Sequence, residues 1–146
     1  MPAVNRSAII KQSTLIVRDL LLNSITDPLT GRSGNSKFIA TAWPERDVQY
    51  PVITVEQQGY STVPAGTSSN ETIATIGFEI NVWSRSTRER DELTGSVIAV
   101  IEQNQTVTQA SGLFDMDFIN ITSIDEEGKA GVHRKVIELN YLYPTQ

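Results

Sequence analysis

From Thr72 to Trp83 the chain alternates over its longest stretch, with Ala74, Ile76, Phe78, Ile80 and Val82 on one side and Thr75, Gly77, Glu79 and Asn81 on the other. A period of two marks a strand with one apolar face, here a central one. Tyr50 to Gln57 (YPVITVEQ) reads the same way, with Ile53 and Val55 opposed to Thr54 and Glu56. Pro51 stands at its start, where a residue that cannot donate to a ladder is tolerated. Two closing runs, Asp117 to Ile124 and Val132 to Tyr143, alternate again on either side of DEEGKAG, a hairpin connection with two glycines. In the last run Ile137, Leu139, Tyr141 and Tyr143 oppose Arg134, Glu138 and Asn140. A short stretch, Lys37 to Trp43, is a further candidate strand before Pro44.

Helical spacing appears twice. Between Ala8 and Asn23, Ile9, Ile16 and Leu20 recur with Ile10, Val17 and Leu21 beside them, and Ser7 is a candidate N-cap. The second helix is announced by FEINVWSRSTRERDEL, residues 78 to 93, where six charges fall in the eight residues from Arg85 to Glu92. Ser86 and Glu89 stand in the relation of a capping box, and Leu93, Val97, Val100 and Ile101 follow at helical intervals. Glu89, Asp91 and Glu92 lie near the positive end of the helix dipole, with Arg85, Arg88 and Arg90 as local partners, so the charge run is explained as a helix start. An arginine face for a partner is the competing reading.

The remaining stretches are polar connections. TDPLTGRSGNS (26–36) and GYSTVPAGTSSNE (59–71) are both long, and a polar linker runs to Gly112. The order is helix, two or three strands, helix, two strands. It predicts a single α+β domain over 1–146: an antiparallel sheet of four to five strands, order α-β-β-β-α-β-β, with both helices packed on one face.

Composition narrows the chemistry. A chain of 146 residues that is 39% hydrophobic is enough for one core. With no cysteine and one histidine it has no disulfide framework, no thiol nucleophile and no Cys/His zinc cluster. A formal charge of -5 argues against a surface that grips nucleic acid through its phosphates. No signal peptide is legible, and no stretch approaches the roughly 18 apolar residues that span a bilayer.

The individual motifs fail as catalytic sites. TGRSGNSK (30–37) lacks the Gly-Lys-Ser/Thr ending of a phosphate loop, and Gly59-Tyr-Ser-Thr-Val lacks the second glycine of a nucleophile elbow. Asp115, Asp117, Asp125, Glu126 and Glu127 surround a hairpin, where carboxylates serve turns and solubility rather than a metal. His133 has Arg134 and Lys135 for neighbours and no legible nucleophile or orienting acid. The reading is a protein that is not an enzyme and has no cofactor or metal. Large side chains in connecting segments, Trp43, Tyr60, Val63 and Phe114, together with Arg88, are the candidate partner contacts.

A leading helix, the Tyr50-Pro51-Val52-Ile53 strand, a long variable loop and a strand ending in Val82-Trp83-Ser84 then follow one another. After them come the charged helix start with Arg88, Glu89, Arg90 and Leu93, and a last strand closing on Tyr141-Leu142-Tyr143. In that order and texture the chain resembles the tail terminator, or tail completion, proteins of long-tailed bacteriophages, over nearly its whole length. The resemblance implies a virion protein of the tail or neck, assembled in the host cytoplasm. It further implies a homo-oligomeric ring, typically a hexamer, that ends growth of the tail tube and joins tail to head. Implied partners are the tail tube protein and a head-closure or connector protein, with DNA passing through the ring without specific binding, and no membrane.

With helices on one sheet face, the other carries Glu56, Glu79, Asn81, Arg134, Glu138 and Asn140. Glu56, Glu79, Asn81, Glu138 and Asn140 are therefore the candidate channel-facing residues, where carboxylates repel passing phosphates. The alternative of a different class is a small homodimeric α+β ligand-binding or regulatory module that uses the same face for a pocket.

Overall fold

The computed structural model describes residues 8–32, 37–42, 48–64, 72–125 and 131–145. In chain order it places α1 (Ile9–Ser24), β1 (Ile39–Ala40), β2 (Val52–Pro64), β3 (Thr72–Ser84), α2 (Thr87–Gln103), α3 (Gln105–Ala110), β4 (Phe114–Asp125) and β5 (His133–Thr145). The sheet order is β1-β2-β3-β5-β4. The α+β class holds, but the sheet is mixed rather than wholly antiparallel. β1 pairs in parallel with β2, Ile39 beside Ile53 and Ala40 beside Thr54, while the four long strands pair antiparallel.

Register sorts the side chains. Ile76, Phe78, Ile80 and Val82 share a face with Ile53 and Val55 across one ladder and with Ile137, Leu139 and Tyr141 across the other. These side chains form one cluster with Val17 and Leu21 of α1 and Leu93, Val97 and Ile101 of α2. Both helices thus cover the same face, as the alternation predicts, and α1 also packs on α2. Tyr141 meets Phe78 edge to face, ring centroids 6.0 Å apart.

Local chemistry fixes the helix ends. Ser86 is the N-cap of α2, its hydroxyl accepting from the Glu89 amide at 3.3 Å. The return half of the capping box is rerouted: the Ser84 hydroxyl donates to the Glu89 carboxylate at 2.6 Å and accepts from the Ser86 amide at 3.1 Å. Ser7 lies outside the described residues, and the cap position of α1 is Ala8, which offers no side-chain hydrogen bond. Asn104 ends α2, its amide and side chain both donating to the Val100 carbonyl, and α3 follows where the sequence reads as polar linker.

One other expectation changes. Residues 59 to 64, read as the start of a loop, continue β2 past a bulge between Gln57 and Gly59, paired out to Pro64 opposite Thr72. Tyr60, Thr62 and Val63 are strand formers, and the bulge lets them extend a ladder whose alternation it interrupts. The connection at 26–36, whose residues 33–36 lie outside the described set, is pinned at Arg32. That guanidinium forms an ion pair with Asp27, 2.6 Å, donates to the carbonyls of Gln49 and Pro51, and lies over the Phe38 ring.

Candidate functional site

The face turned away from the helices is built from alternate residues of β2, β3, β5 and β4. Across it Glu56 stands opposite Glu79, Glu79 opposite Glu138, and Glu138 opposite Asn120. Three carboxylates in one row on three adjacent strands are unfavourable for folding, since like charges directly opposite destabilise a ladder. The Asn81 side-chain amide steadies the middle one by donating to Glu79 at 3.0 Å, and the Gln58 amide donates to Glu56 at 3.2 Å.

Beside this row lies an open groove of about 280 Å³ bordered by Gly59, Gly77, Glu79, Ile119, Glu138 and Asn140. Its floor is low because Gly59 and Gly77 face each other. A Cβ on Gly77 would come within 3.1 Å of the Asn140 side-chain oxygen, so a glycine is what lets that amide lie against the strand.

Only half of this face is open. Toward its other end Val52, Thr54, Asn81, Trp83 and Val136 are all buried, and the Arg134 guanidinium lies over the Trp83 ring, 5.7 Å from its centroid. Glu56, Glu79, Glu138 and Asn140 keep solvent exposure. Asn81, expected to face outward, is 2% exposed and acts on the face through Glu79. Its side-chain oxygen and the hydroxyl of its cross-strand partner Thr54 are buried without hydrogen-bond partners.

The partner candidates are not brought together. Tyr60, 43% exposed, sits on the helix side of the sheet, at a groove of about 720 Å³ lined also by Ile9, Ile10, Thr14 and Leu15 of α1. Val63 and Phe114 are both exposed on the helix-free side, at the same end of the sheet but on opposite flanks. Arg88 projects from the first turn of α2, its side chain 89% exposed and paired with Glu92. Trp43 lies outside the described residues.

Sequence reasoning missed Ile119 and Ile121, both exposed on β4. The signal was hidden by a bulge: register shifts between Phe118 and Asn120, so Ile119 leaves the alternation and opens onto the groove beside the glutamates. His133 heads β5 opposite Ser84, and Asp115, with a positive φ of 49°, sits in another register shift of β4. Among the described residues no helix is long and apolar enough to cross a membrane.

Among solved structures, the chain is similar in fold to one from the virion of a native gene transfer agent (GTA) particle. The TM-score is 0.57 at 14% identity, and the match covers 97% of this chain and 100% of that one. At that identity the likeness is one of fold. No family model matches the sequence, and a search of curated proteins finds no match.

Proposed function

We propose that this protein is a structural subunit of a phage-like virion, forming a ring at the head-proximal end of the tail that ends tube growth and joins tail to head. The observation that carries the reading is the likeness, nearly end to end on both chains, to a chain of a virion particle. The tail-terminator resemblance of the sequence supplies the finer assignment. The helix-free face supports it physically. Glu56, Glu79 and Glu138 form an acidic row that a folding-only design would avoid, and such a row suits the wall of a passage for DNA. Carboxylates there repel phosphates and keep the polymer from sticking.

The test is to add purified protein to growing tail tubes and image them in negative stain. Rings seated on one end of tubes of arrested length are expected. Tubes that keep elongating, or a stable dimer that carries a small molecule in the groove beside Gly77, would refute the proposal.

A further inference from the structure

β2 and β4 are the outermost long strands, and among the described residues both leave a long outer edge unpaired. Among the described residues, β2 is paired on its outer side to β1 at Ile53 and Thr54, which leaves Val55 to Pro64 open. β4 offers Phe114 to Asp125, exposed along most of its length. Free edges of this kind are normally blunted by lysine, by proline or by brevity. Neither VEQQGYSTVP nor FDMDFINITSID contains a lysine or arginine, and the one proline is the last residue of β2. Exposed apolar side chains stand on both: Tyr60 and Val63 on one, Phe114, Ile119 and Ile121 on the other.

We infer that subunits join head to tail through these two edges, β4 of one copy adding antiparallel to the free half of β2 in the next, so that one sheet runs around the ring. The occupant of each edge is a second copy of this chain. Three observations select it. The long strands β2, β3, β5 and β4 alternate in direction, so the first and last are antiparallel to each other. Copies related by rotation then continue an antiparallel ladder without a parallel junction, whatever their number.

Next, the two edges differ from each other, and a junction between unlike edges leaves one free edge at each end of an open chain until a ring closes. Finally, the register shifts, one in β2 and two in β4, all fall in these flanking strands. Bulges bend a sheet, and closure into a barrel requires that curvature together with a stagger between strands. The glutamate rows of successive copies then meet, offset by that stagger, as a belt on the helix-free face.

This inference rests on the ring reading, and its test separates the two. The chain has no cysteine, so single cysteines report cleanly. Ser61→Cys on β2 is mixed in turn with Asp117→Cys, Asn120→Cys or Thr122→Cys on β4, spanning the stagger, and oxidised mildly. Covalent dimers are expected from at least one mixture and from no variant alone, and the matching double variant is expected to give a ladder that stops at the ring's subunit number. Light scattering of the unmodified protein reads the ring independently. A ring in which no pair couples, or coupling within a single variant, overturns the edge junction and leaves the ring standing; absence of a ring sinks both. Ile121→Lys, an exposed change on β4, is expected to leave thermal unfolding unchanged and to abolish the ring. A ring that survives it overturns the junction as well.

Discussion

Glu79 and Glu138 are direct partners across β3 and β5, two carboxylates opposed in the middle of the longest ladder. Glu79→Gln removes that repulsion, and the one with Glu56, while keeping an acceptor for the Asn81 amide. The variant is expected to be more stable by roughly 0.2–1 kcal/mol in urea unfolding. The gain should shrink as salt rises, because solvated charges are screened. A gain unchanged at high salt would mean that charge is not its source.

Reversing both charges, Glu79→Lys with Glu138→Lys, keeps a like pair in the ladder and turns the face toward phosphate attraction. Under the proposed role, rings should still form and DNA ejection should slow, with the delay reduced at higher ionic strength. Single-particle ejection kinetics indistinguishable from the parent would argue against a channel-lining face.

The Asp27–Arg32 clamp gives a pH signature. Burial raises the Asp27 carboxyl, but hydrogen bonds from Arg32 and the Leu29 amide, with the Arg32 charge, outweigh it and hold the group below its ordinary value. A carboxyl that ionises more readily folded than unfolded stabilises the fold above the ordinary aspartate range, and that contribution disappears as pH falls through the lower folded value. Asp27→Asn should therefore be less stable than the parent at neutral pH and converge with it in acid. Arg32→Met, which strands the carboxylate and two carbonyls, should cost roughly 3 kcal/mol in chemical unfolding.

Tyr141 is 1% exposed, its hydroxyl meets the Thr108 side chain only outside good hydrogen-bond geometry, and burial pushes its ionisation upward against the lowering effect of Thr108. A buried hydroxyl so weakly met is a cost, so Tyr141→Phe should raise stability by up to about 1 kcal/mol, the ring contact with Phe78 being kept. Calorimetry reads it directly, and a loss of that size would reveal a partner for the hydroxyl.

Gly112, at φ 98°, leads from α3 toward β4, and a Cβ there would lie 3.0 Å from Cε2 of Tyr143. Gly112→Ala should destabilise by about 1–3 kcal/mol through backbone strain. Gly95, in an open stretch of α2 with nothing near its Cβ position, is the control: Gly95→Ala should stabilise by roughly 0.5–1 kcal/mol.

The parts legible in advance were those written within a few residues. Ser86 and Glu89 announced the start of α2, Ala74 to Val82 announced β3, and alternation separated Glu79 and Glu138 from the apolar side. β1 was harder because it is two residues long and owes its existence to Ile53 and Thr54, far along the chain. Ile119 was invisible as a site residue, since a bulge carries no composition of its own. Asn81 looked outward by alternation, yet that end of the sheet is buried on both sides.

The sequence by itself determined α1, α2 and the cores of the four long strands, and which residues of most of them share a side, because backbone periodicity is a local property that apolar spacing records. Only the tertiary structure decided that Glu56, Glu79 and Glu138 stand in one row, that Arg32 ties its loop to the start of β2, and that two unlike edges remain open among the described residues. Those facts depend on which strand lies beside which, and in what register. Ladders and bulges settle that between residues distant in the chain.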